Sequence, residues 1–100
     1  MTETVNAWKR DGDGYFVQMS PTARKNYGLD LTDFLGAEAL ATCVLTLDPN
    51  ITQAGNTEIS GQVGKFVLVA GSATGKWPCS IRFTGSLGLI DFVYFRVKVK

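Results

Sequence analysis

Few side chains in this chain have chemistry to offer, and their spacing does not organise them. There is no histidine. That removes the commonest general base, the Ser-His and Cys-His nucleophile pairs, and most zinc sites. The two cysteines, Cys43 and Cys79, form no Cys-x-x-Cys pair and are too few for an all-cysteine zinc site. Asp30 and Asp33 are the nearest carboxylate pair, placed where solvated strand-end acids normally lie, with no metal-partner set beside them. Asp11-Gly12-Asp13-Gly14 invites a calcium reading, but an EF-hand loop starting at Asp11 needs Gly at its sixth position and Glu at its twelfth. Those positions hold Phe16 and Thr22. The run from Gly71 to Lys76 has three residues between its glycines, where a phosphate loop has four, and Trp77 follows the lysine instead of Ser or Thr. Asn50-Ile51-Thr52 matches a glycosylation sequon by chance, since no secretion signal accompanies it. The sequence therefore argues against an enzyme and implies no cofactor, catalytic residue or metal ligand.

Composition narrows the partners. Ten basic against nine acidic residues leave a net charge of +1, which gives no support to nucleic-acid or anionic-membrane binding. Hydrophobic residues make up 45%, ordinary for one folded domain with an expected radius of gyration of about 13 Å. No apolar run approaches the ~20 residues of a membrane helix. Residues 1–5 lack the basic start and apolar run of a signal peptide, so cytosolic synthesis is expected.

The elements that would position these groups are short strands. In residues 21–35, Ser20 reads as an N-cap, Pro21 as a first helical residue and Gly28 as the end of a short helical turn. Leu29 and Leu31 then alternate with Asp30 and Thr32, as on a half-buried strand. The Asp-Gly pairs at 11–14 predict a hairpin turn between two apolar fragments. Residues 40–47 read as a strand with Ala41, Cys43, Leu45 and Leu47 on one face, ended by the turn residues Asp48, Pro49 and Asn50. A polar loop is expected over residues 53–56, with a short strand at 57–59. Residues 63–70 carry Phe66, Leu68 and Ala70 against Val67 and Val69, apolar on both faces. Cys79, Ile81 and Phe83 point inward on the next strand, so both cysteines read as buried, reduced small hydrophobes. On the last strand Val93, Phe95, Val97 and Val99 alternate with Arg96 and Lys98. Phe92 and Tyr94 break its polar face, which implies either a bulge or contact with another surface. About seven such segments separated by Gly, Pro and Asn predict an all-β, immunoglobulin-like sandwich over residues 21–100, preceded by an irregular N-terminal arm or hairpin over residues 1–20.

The order Pro21, Ala23, Tyr27-Gly28, Asp30, Thr32-Asp33, Phe34-Leu35 resembles the opening of a bacteriophage family, the immunoglobulin-like fibre-tail adaptor proteins. The likeness continues through Gly36, Glu38, Asn50-Ile51-Thr52, residues 67–71 and 73–75, and ends with Asp91, Phe95, Arg96, Val97 and Val99. Ala70, Trp77 and Cys43 depart from the pattern, and the first 20 residues lie outside it. The resemblance implies a non-catalytic virion protein, made in the host cytoplasm. It would join tail or baseplate to fibres in several symmetric copies, with other tail, baseplate or fibre proteins as partners. Trp8, Tyr15, Phe92 and Tyr94 are the candidate interface residues. Two alternatives stand beside this reading. One is another immunoglobulin-like virion part, such as a capsid decoration or tail-tube appendage. The other is a host-glycan-binding module using Trp8, Trp77, Tyr15 and Tyr94.

Overall fold

The computed structural model describes residues 2–3, 9–12 and 14–100, with side chains described from Gly14 onward and at Gly12. Among the described residues nine strands run in chain order: β1 (Thr2–Glu3), β2 (Lys9–Asp11), β3 (Gly14–Met19), β4 (Arg24–Asp30), β5 (Leu40–Thr46), β6 (Ile51–Ser60), β7 (Val63–Ala70), β8 (Gly75–Gly85) and β9 (Ile90–Val99). One four-residue helix, α1 (Thr32–Leu35), lies between β4 and β5. The strands form two sheets, β1-β4-β7-β6 and β2-β3-β9-β8-β5. Set beside the immunoglobulin scheme of ABED packed on CFG, β1, β4, β7 and β6 take the places of A, B, E and D, and β5, β8 and β9 those of C, F and G. The protein is an all-β sandwich, with a radius of gyration of 13.1 Å.

Period-two patterning builds the core. Val93, Phe95, Val97 and Val99 of β9 are buried, as are Cys79, Ile81 and Phe83 of β8 and Phe66, Leu68 and Ala70 of β7. The β8–β9 register is unbroken from Gly75↔Val99 to Thr84↔Ile90, so no bulge accounts for Phe92 and Tyr94 on the outer face. The Asp-Gly turn forms the expected hairpin: Asp11 pairs with Gly14 across two residues, and Gly14 takes φ +109. The second hairpin strand then joins the sheet. β3 runs parallel to β9 from Tyr15↔Phe95 to Met19↔Val99, and Val17 and Met19 enter the core.

Four local expectations need correction. Residues 21–28 make no helical turn. Pro21 and Thr22 are the corners of a β-turn closed by the Ala23 amide donating to the Ser20 carbonyl at 3.1 Å, with Thr22 at φ +63. Proline suits the first corner of such a turn as well as it suits a helix start. The chain then enters β4, paired with β7 from Arg24↔Val69 to Asp30↔Val63, and sheet pairing overrides the helix signal. The expected strand after Gly28 correspondingly stops at Asp30. The Asp30 carboxylate accepts from the Thr32 amide at 3.0 Å and the Thr32 hydroxyl at 2.5 Å, turning the chain into α1. Leu29 and Leu31 are nonetheless fully buried.

Ala41 is exposed rather than inward. The register slips between Leu40↔Gly85 and Thr42↔Thr84, so Ala41 is the extra residue of a bulge. Residues 53–56 form no free loop. They lie within β6, whose register shifts between Ala54↔Val67 and Glu58↔Lys65 around Gly55 at φ +73. The Asp48 turn forms as expected, the Asp48 carboxylate accepting from the Asn50 amide at 3.0 Å.

Candidate protein-contact face

The outer face of the five-stranded sheet concentrates the apolar side chains that the core leaves out. Inward residues of β9 are odd-numbered, so Ile90, Phe92 and Tyr94 project outward, and they are 58%, 43% and 70% exposed. Phe92 and Tyr94, two residues apart on one face, stack with ring centroids 6.0 Å apart and planes 15° from parallel. Their cross-strand neighbours on β8 are Arg82 and Ser80. Beyond these, on β5, stand Val44 opposite Arg82 and Thr46 opposite Ser80. The result is a raised aromatic ridge along β9, flanked by short hydroxyl side chains and one guanidinium. A shallow recess lined by Thr46, Leu47, Asp48, Pro78 and Ser80 lies beside Tyr94.

The two ends of this face differ. Toward β3, Phe16 is covered by cations, with the Lys98 ammonium 3.5 Å and the Arg96 guanidinium 6.0 Å from its ring centroid. That aromatic face is occupied within the chain. Toward the β8–β9 connection the surface is apolar and held in place. Leu87 is exposed at the tip. The Glu38 carboxylate accepts from the Leu87 amide at 2.8 Å and the Leu89 amide at 3.4 Å. The Ser86 amide donates to the Ala39 carbonyl at 2.9 Å, and the Ser86 hydroxyl accepts from the Ala39 amide at 3.2 Å. Gln62, in the β6–β7 turn, secures the same segment by donating to the Gly36 and Glu38 carbonyls at 2.8 Å. The apolar tip is thus preorganised by its own second layer of bonds.

Of the candidate interface residues, Phe92 and Tyr94 come together on this ridge. Tyr15 is half-buried on the opposite face of its sheet, packed on the core and paired with Phe95. Trp8 lies outside the described residues. Trp77, named as a glycan platform, is partly buried against the core and lies close to Gly75, where an added Cβ would sit 2.7 Å from the indole ring, and its Nε1 donates to the Ala73 carbonyl at 3.4 Å. Sequence reasoning missed Ile90, Leu87 and Val44. Val44 carried the clearest signal, an uncharged aliphatic between two outward threonines on β5.

The polar groups do structural work. Hydrogen bonds from the Thr32 hydroxyl and amide hold the Asp30 carboxyl below its ordinary 3.8. Cys43 and Cys79 are buried free thiols; burial raises Cys43 from 9.0 to about 11 and pushes Cys79 up as well. Both stay protonated near neutrality, the unreactive form. Among the described residues no group of three His, Cys, Asp or Glu side chains is placed to hold a metal ion, and no helix is long and apolar enough to cross a membrane.

No protein-family model matches the sequence, and no curated protein matches it. Solved structures do. The chain superposes on the cysteine protease inhibitor EhICP2 from Entamoeba histolytica with a TM-score of 0.59 at 6% identity, covering 99% of this chain and 93% of that one. The PKD domain from the KIAA 1837 protein matches with a TM-score of 0.49 at 16% identity over 83% of this chain and 78% of that one. At 6% identity the likeness to EhICP2 is one of fold.

Proposed function

We propose that this protein is a non-catalytic structural module that works by protein–protein contact, and specifically a connector of a bacteriophage tail that joins tail or baseplate to fibres. The observation that carries the contact reading is the open Phe92–Tyr94 stack continued by Ile90, on a sheet face that a lone domain makes polar. The sequence resemblance to fibre-tail adaptors supplies the partner class, another tail, baseplate or fibre protein. An aromatic ridge with a rigid tip beside it suits such a partner, because aromatic anchors dominate interface energetics and a preordered loop lowers the entropy lost on docking. Repeated copies follow from the symmetry of a tail.

The test is Tyr94→Lys. Tyr94 is 70% exposed, so the variant keeps the β-sheet circular dichroism of the isolated domain while its incorporation into virions falls. Incorporation at normal copy number would remove the ridge from the interface.

A further inference from the structure

Two long strands lie at sheet edges, β5 and β6, and they are protected very differently. β6 is broken by the irregularity around Gly55 and carries Glu58, features that discourage edge-to-edge pairing. β5 reads Leu-Ala-Thr-Cys-Val-Leu-Thr, with no charge, proline or glycine. Its bulge lies at the entry end, and residues 42–46 pair regularly with β8 from Thr42↔Thr84 to Thr46↔Ser80. Among the described residues, no backbone hydrogen bond reaches residues 41–46 from the side away from β8. Those outward amides and carbonyls form a row whose natural partner is another extended backbone.

We propose that the partner is β5 of a second copy of this chain, paired antiparallel about a two-fold axis at Val44. A two-fold contact must be self-complementary, and this strand is. Centring the axis on Val44 sets Val44 against Val44, Thr42 against Thr46, and Cys43 against Leu45. Outward, that gives a β-branched pair flanked by threonine pairs, both favoured across strands. Inward, it places a buried thiol beside a half-buried leucine, continuing the apolar layer. Shifting the axis by one residue to Cys43 instead sets Thr42 against Val44 and Ala41 against Leu45. Charge does not oppose the pairing: the strand is neutral and the chain carries +1. The nearest cations, the two copies of Arg82, stand three strand spacings apart, ~14 Å, beyond the ~10 Å screening length of 0.1 M salt. The two five-stranded sheets then become one, with both aromatic ridges on the same side. The inference concerns the edge alone and stands apart from the tail-connector reading.

Sedimentation equilibrium of the full chain tests it. The wild type is expected to dimerise with a Kd between ~10 µM and ~1 mM, the range of a small interface. Val44→Lys places like charges opposite each other and is expected to raise that Kd at least ~10-fold. Val44 is 55% exposed, so the far-UV circular dichroism should be unchanged. Tyr94→Lys, on the ridge, leaves dimerisation as in the wild type, which separates this contact from the virion interface. Mild oxidation of Val44→Cys yields a disulfide-linked dimer, because position 44 meets its own copy. A wild type that stays monomeric at ~1 mM would overturn the proposal, as would a Val44→Lys dimer of wild-type affinity. Dimerisation abolished by Tyr94→Lys alone would do the same. Should Val44→Lys fail to fold, the Val44→Cys cross-link decides, and its absence overturns the pairing.

Discussion

Gly64 of β7 and Cys43 of β5 approach each other across the sandwich so closely that a side chain at position 64 would meet the sulfur. Gly64 is buried on β7, and a Cβ built there lies 2.9 Å from Cys43 Sγ, 3.6 Å from Cys43 Cβ and 3.8 Å from Leu40 Cδ2. The sulfur contact is shorter by roughly 0.6–1 Å than the ~3.5–4.0 Å optimum for carbon pairs. Cys43 is itself buried, so Gly64→Ala must move a packed side chain or spread the sheets, at a cost of about 1–3 kcal/mol. Alanine returns about 0.5–1 kcal/mol over glycine through the unfolded chain. The net expectation is a loss of about 0–2.5 kcal/mol. Cys43→Ala alone removes the sulfur and leaves a small void, costing about 1–2 kcal/mol. Combined, the new methyl occupies the space the sulfur left, at an ordinary 3.6 Å from the Cβ of residue 43. The double variant should therefore be more stable than the sum of the singles by about 1–3 kcal/mol. Urea unfolding of the four proteins gives the cycle directly. Effects additive to within about 0.5 kcal/mol would show that the two sheets do not meet at this pair.

Phe95→Ala should cost about 3–5 kcal/mol, since it empties a core position, whereas Arg96→Ala on the outer face shifts stability much less; equal effects in denaturant melts would reverse the assigned phase of β9. Both thiols are more basic folded than the ordinary 9.0, Cys43 reaching about 11, so the native state holds their protons longer than the unfolded state does. The Cys43 contribution is then fully present below pH 9.0, is lost as pH rises through about 11, and should be absent in Cys43→Ala, as urea midpoints across that window would reveal. Glu38→Ala removes the acceptor for the Leu87 and Leu89 amides and should cost about 1–3 kcal/mol, with faster amide exchange confined to the β8–β9 connection. Unchanged exchange there would mean that the tip is ordered by something other than Glu38.

What was legible in the sequence was whatever rests on alternation along one strand. β8 and β9 declare their inward residues by period two, and the Asp-Gly hairpin needs only four residues to specify it. What was not legible depends on a partner far away in the chain. Pro21 is compatible with a helix start or a turn, and only the pairing of β4 with β7 decides. The bulges at Ala41 and Gly55 insert residues against a neighbouring strand, so no local pattern announces them. For the contact face, the break in polarity at Phe92 and Tyr94 was visible, while its extension to Val44 requires knowing that β5 lies beside β8. Tyr15 looked equivalent to Tyr94 until the parallel pairing of β3 turned it inward.

That parallel pairing also sets a clock. Tyr15 and its partner Phe95 are 80 positions apart. At 5–20 residues per second, ~4–16 s separate the synthesis of the two. Throughout that interval the Tyr15, Phe16 and Val17 segment has only its hairpin partner β2, with its other edge open, and its apolar side chains have no finished core to enter. The five-stranded sheet closes only when β9 arrives between β3 and β8, so folding is dominated by contacts distant in sequence and belongs to the slower, millisecond-to-second class of β proteins. A nascent chain stalled before β9 would present β3 as an open strand, and co-expressed chains would compete for it.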